Sequence, residues 1–122
     1  MTQETKAPTP ARWIVRRGED LEEFRSVCGF RKSVLTKEDQ TRISISHLRI
    51  NESREHYHKV MEEIYYVLEG EGAILLDGER VPICAGDAVV IRPGVRHHSE
   101  GDIEVLILCS PPYEDGDVYF DD

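Results

Sequence analysis

Basic residues are scarce in this chain. Fifteen Lys and Arg stand against 24 Asp and Glu, a formal net charge of −9 over 122 residues. Nucleic acid is bound through clustered cations, so this balance disfavours it and no nucleic-acid partner is expected. An anionic membrane surface is disfavoured for the same reason. A small anionic substrate is not excluded, because one local Arg suffices to meet it. Long apolar runs are missing as well, and nothing here is long enough to span a bilayer. Residues Met1 to Pro10 are polar and lack the apolar centre of a secretory signal. Cysteines are few and odd in number, Cys28, Cys84 and Cys109, with no Cys-x-x-Cys pair. That excludes a disulfide framework and fits a reducing compartment, so a cytoplasmic location is expected. Cys84 and Cys109 lie in apolar runs, where a buried thiol is the expected state. Internal repeats are absent, and the length suits one domain with its own core.

What the chain does have is short β-type runs separated by Gly and Pro. Arg12 to Arg16 is expected to form a first strand through Trp13, Ile14 and Val15. Asp20 is placed to cap a short helix over about Leu21 to Val27, with Glu22 and Glu23 in its acidic first turn. Thr41 to Ile50 reads as a strand with Ile43, Ile45 and His47 on one face and Ser44, Ser46 and Leu48 on the other. Strands follow at Arg54–His58, Glu63–Leu68, Ala73–Leu76, Val81–Cys84, Ala88–Ile91 and Ile103–Cys109. Turns are expected at Glu69-Gly70-Glu71-Gly72, at the hairpin pair Asp77-Gly78 and at Ala85-Gly86-Asp87. The pattern predicts an all-β, single-domain antiparallel barrel or jelly roll. Its boundaries fall at 1–10 for a flexible arm, 11–112 for the barrel and 113–122 for an acidic tail. The tail holds five acids and no base beside Tyr119 and Phe120. It either wraps the barrel, docks on a partner subunit, or frays.

Two stretches carry metal-ligand chemistry. In His56-Tyr57-His58 the histidines alternate, so on a strand both point the same way. The carboxylates Glu62 and Glu63 follow closely, and His97 lies on a separate run after Pro93-Gly94. Three imidazoles and one carboxylate suit one divalent ion, with iron, zinc, nickel and manganese fitting on ligand type alone.

These residues resemble the two motifs of the cupin superfamily. His56, His58, Glu63 and Gly70 match the first, and the spacing to Gly70 selects Glu63 over Glu62. Gly86, Gly94 and His97 match the second. Ile50 stands where the first motif has its leading glycine, and Arg92 where the second has its proline. The resemblance implies a double-stranded β-helix, the jelly-roll cupin barrel, with His56, His58, Glu63 and His97 as metal ligands. It also implies a homodimer.

Around these ligands, Tyr65 shares the inward parity of Glu63. It is a candidate catalytic residue, donating a hydrogen bond or a proton, or else a core tyrosine. Glu62 and His98 should face solvent. His47 would face the interior as a proton relay or a satisfied core histidine. Arg49 and Arg92 would meet an anionic substrate or form surface ion pairs. Three functions compete: an iron-dependent, dioxygenase-like enzyme on a small organic molecule, a non-redox isomerase or lyase, and a metal-dependent small-molecule binder. The isomerase-like segment Glu62–Gly72 departs from the sugar-phosphate isomerase pattern. Met61 stands where that pattern has Arg, and Ile64-Tyr65 where it has His-Trp.

Overall fold

In a computed structural model, residues 11–51 and 53–121 are described. The expected arm at 1–10 therefore lies outside the described residues. Eight strands form in chain order: β1 (Phe24–Ser26), β2 (Gly29–Leu35), β3 (Ser44–Ile50), β4 (Glu62–Leu76), β5 (Glu79–Cys84), β6 (Ala88–Ile91), β7 (His97–Glu100) and β8 (Ile103–Ser110). All pairings are antiparallel, in the path β1-β2-β3-β8-β4-β5, with β6 and β7 also paired to β4. The result is the all-β jelly roll that the strand pattern predicts.

Strand β4 organises this architecture. Its first half pairs with β8 and β6, and its second half pairs with β5 and β7. The turn expected at Glu69–Gly72 does not form. The chain instead runs through as one long strand, bending where its register against β8 shifts between Val67 and Glu69. Glycine makes this crossing possible. A Cβ at Gly70, where φ is +89°, would overlap Asp102 O, and one at Gly72 would overlap Glu100 O. The Asp77-Gly78 hairpin forms as predicted, with φ of 51° and 85°.

Inward residues alternate along the strands and make a continuous core. Leu48, Ile50, Tyr65, Val67, Ile74, Ile91, Val105 and Ile107 are all essentially inaccessible. On β3 the buried face is Ser44, Ser46, Leu48 and Ile50, because that parity sets Leu48 against Val105 and Ile50 against Ile103. His47 is therefore on the outer face, 2.7 Å from Glu104, and not in the interior.

The N-terminal expectations need correction. No strand forms at Arg12–Arg16; Trp13 is 74% exposed, and the segment is tethered through Arg16 to Asp39 at 2.7 Å. No helix forms over Leu21–Val27 either. A 3-10 turn at Gly18–Asp20 precedes β1, which pairs with a strand not foreseen, β2. Backbone pairing with a neighbour outweighs the weak local helix signal. Cys84 is exposed at the end of β5, whereas Cys28 and Cys109 are buried.

The acidic tail wraps the barrel. Tyr113 N donates to Ser44 Oγ at 2.8 Å, Tyr119 pairs with Tyr57 as a β-bridge, and Asp121 pairs with Arg96.

The crossing at β4 predicts a sharp contrast between glycines. Gly72→Ala should lower unfolding free energy by about 2–3 kcal/mol, as an overpacked backbone contact does. Gly18→Ala, where a Cβ meets nothing within 4 Å, should stay within about 0.5 kcal/mol. Urea unfolding of the two variants checks this.

Candidate metal centre

His56, His58, Glu63 and His97 come together in the barrel interior, and all four are buried. Their ligand atoms lie within 4.8 Å of one another. Three separate pieces of chain bring them there. His56 sits opposite His97 in a two-way backbone bridge, with N···O distances of 3.1 and 2.9 Å. His58 follows one alternation later, its intervening Tyr57 facing outward to stack on Tyr119. Glu63 enters from β4, flanked in the sheet by Cys109 and Ile91. His97 opens β7. The segment Arg54–His58, expected as a strand, forms only the two isolated bridges at His56 and Tyr57.

Each imidazole is aimed by a backbone carbonyl. His56 Nδ1 lies 2.8 Å from Arg54 O, His58 Nδ1 2.7 Å from Asp117 O, and His97 Nδ1 2.9 Å from Val95 O. A carbonyl only accepts, so each Nδ1 carries its hydrogen and donates. In the neutral ring, Nε2 is then left with its lone pair directed inward. Glu63 Oε1 contacts His58 Nε2 and lies 3.1 Å from His97 Nε2. These contacts lack hydrogen-bond angles, so all three atoms are buried without a hydrogen-bond partner. Buried polar atoms are rarely left so, and here they converge on one point. The donor set and its orientation fit one divalent ion.

The electrostatics follow from burial. Burial lowers the His56 pKa to about 4, helped by His97. Burial would raise Glu63, but His58 and His97 outweigh it and hold the carboxyl low. Burial would depress His58, yet Glu63 outweighs that and holds it above the usual imidazole value. Two thiols border the cluster: Cys28 Sγ is 3.9 Å from His56 Nε2, and Cys109 Sγ is 3.9 Å from Glu63 Oε2. Burial foremost, then Glu63, raises these thiols to about 11 and about 12, so both stay protonated. Tyr65 stands edge-on to His97 at 6.2 Å, and its hydroxyl faces Cys28.

Two expected neighbours are elsewhere. Arg49 pairs with Glu23 and Arg92 with Glu62, both on the outside. Glu62 and His98 are outside the cluster, as their parity predicts.

Sequence reasoning missed Asp117. It lies in the tail, buried, and its carboxylate accepts from Lys59 N at 2.9 Å, Val60 N at 3.1 Å and Met61 N at 2.9 Å. Its carbonyl holds His58. One tail residue therefore clamps the loop between two ligands. Burial would raise its pKa, but those three N–H groups outweigh burial and lower it below 3.8. Only the density of acids in the tail hinted at it.

Fold and cluster together define a β-barrel with a buried three-histidine, one-carboxylate site. The chain belongs to the cupin family: the cupin-domain model matches residues 48–110. An uncharacterized protein of Methanocaldococcus jannaschii is 42% identical over 66 residues, covering 51% of this chain and 53% of that protein. The chain spans about half, or less, of the length of the curated relatives it matches. A crystal structure of a protein from Planctomyces limnophilus superposes with a TM-score of 0.86 at 28% identity, covering 92% of this chain and all of that one. A nucleoside dehydratase from Streptomyces shares the fold at a TM-score of 0.77 and 21% identity, covering 87% of this chain and 88% of that one.

Loading a divalent ion should displace protons from the imidazole ligands, His58 foremost because its pKa is raised. Calorimetry in buffers of different ionisation enthalpy should detect proton release, and affinity should weaken as pH falls through the imidazole range. His97→Ala should reduce affinity at least about a hundredfold; an unchanged value would remove the second motif from the site. Asp117→Ala should reduce affinity about tenfold through His58 and the 59–61 loop. A depressed carboxylate contributes stability above its unfolded pKa, so the gap between wild type and Asp117→Ala should be full above pH 3.8 and close as pH falls through the lower folded value.

Proposed function

We propose that this chain is a mononuclear-metal enzyme for a small organic molecule, and that its reaction is non-redox, of the isomerase or lyase type. A divalent ion at His56, His58, Glu63 and His97 would supply Lewis acidity to a carbonyl or hydroxyl of the substrate. The observation that carries the non-redox reading is the pair of thiols, Cys28 and Cys109, each 3.9 Å from a ligand atom. Oxidants generated at the centre would meet two sulfurs at contact distance, with no aliphatic layer between. The nucleoside dehydratase named above shares this fold, and loss of water is itself a non-redox reaction, which supports this reading.

The chain's own groups supply the rest. Tyr65 keeps its proton, because burial holds its pKa well above 10. In this reading it donates that proton, or a hydrogen bond, to a leaving oxygen or to an oxyanion. Leu48, Ile50, Val67 and Val105 make the surrounding wall dry, which strengthens each such hydrogen bond. A homodimer is part of the same proposal. Tyr66 and Leu68 of β4 and Val90 of β6 are 44%, 41% and 51% exposed on one outer face.

The dioxygenase-like alternative rests on the ligand set, which iron suits equally. Elemental analysis of purified protein should find about one divalent ion per chain, lost in His56→Ala. Turnover across a panel of small hydroxy and oxo acids should then be equal in air and under argon. Oxygen uptake in step with substrate loss would overturn the non-redox reading. A single monomeric species in sedimentation would reject the dimer.

A further inference from the structure

Arg31 is a buried cation with no anion beside it. It is 6% exposed on the inward face of β2, next to Leu48 in the ladder. Its Nε is buried and has no hydrogen-bond acceptor. Among the described residues no carboxylate lies within ion-pair distance of it. Its one close partner is the ring of Tyr113, 4.5 Å beneath the guanidinium carbon. Stacking covers a face of the guanidinium but gives its Nε–H no acceptor. A charge kept out of water without a counter-ion is costly, and folds retain such groups where a ligand supplies the missing charge.

The surroundings say where that ligand would sit. Arg31 lines a cleft of about 450 Å³. The cleft's other cations are engaged: Lys37 with Glu114 at 2.8 Å and Arg25 with Asn51 at 3.2 Å. Glu38 and Asp115 also border it, so the cleft carries little net positive charge. Arg31 acts electrostatically on Cys28, Cys109 and Tyr65, and the two thiols in turn touch His56 and Glu63.

We infer that Arg31 anchors the carboxylate of the substrate, making that substrate a small organic acid. A planar carboxylate can take Nε–H and one Nη–H together, the fork geometry that guanidinium offers. A single charge suits one cation flanked by two acids better than a dianionic phosphate does. This assignment names the substrate class of the proposed enzyme and rests on that reading for its catalytic meaning, but binding at Arg31 needs no metal.

The test uses metal-free full-length protein titrated with acetate, pyruvate and benzoate, and separately with inorganic phosphate, following the Arg31 Nε–H resonance by NMR. The resonance should shift saturably with the carboxylates and much less with phosphate. Arg31→Lys should bind about tenfold more weakly, the loss of one charge-assisted hydrogen bond, and Arg31→Met should show no binding. His56→Ala should bind as wild type does, which separates this site from the metal centre. Loss of metal binding alone would defeat the enzyme reading and leave the anion site standing. An unmoved resonance, equal binding by Arg31→Met, or tighter binding of phosphate than of carboxylate would overturn the inference. Should Arg31→Met fail to fold, the wild-type resonance and the Arg31→Lys ratio decide the matter.

Discussion

Three backbone carbonyls determine what this barrel interior can do. By accepting from Nδ1 of His56, His58 and His97, the carbonyls of Arg54, Asp117 and Val95 turn each Nε2 towards Glu63. A histidine offers two nitrogens, and which one faces a site depends on what holds the other. Two of these carbonyls come from residues two positions before their histidines, so local chain geometry supplies them. The third comes from Asp117, 59 residues away. The tail is thus part of the site's support. Its Asp117 carboxylate also fastens the backbone of residues 59–61, between His58 and Glu63.

The same arrangement carries an energetic tension. A carboxylate and three imidazoles in a dry interior cost several kcal/mol in lost hydration unless they are paired. Without an ion, the pairing is incomplete: three converging atoms have no hydrogen-bond partner. An ion that binds only the folded chain would relieve that cost and add to stability by mass action. Arg31 is a second buried group of the same kind, its Nε without an acceptor.

Much of the architecture was legible from alternation and punctuation. Strands β3, β5, β6 and β8 lie close to where Ile, Val and Leu alternate between Gly and Asp turns, and Asp77-Gly78 makes its hairpin. The ligand set was legible through its resemblance to the two cupin motifs; alternation by itself put only His56 and His58 on one side. Failures cluster where the partner strand decides. Glu69–Gly72 reads as a turn because of its glycines, yet those glycines serve a close backbone crossing to Asp102 and Glu100. His47 reads as interior from its own strand, but the pairing of Leu48 with Val105 turns it out. Phe24–Ser26 reads as helix until β2 lies beside it.

The sequence by itself determined the period-two strands and the acidic balance, because these depend on residues a few positions apart or on composition, and its resemblance to two family motifs named four metal-type ligands. Only the tertiary structure decided that Asp117 braces the centre, that the thiols of Cys28 and Cys109 border it, and that Arg31 is buried without a counter-ion. Those facts depend on contacts between residues tens of positions apart. Side-chain spacing along one strand reports which residues share a face, but it carries no information about what the opposite wall of the barrel places there.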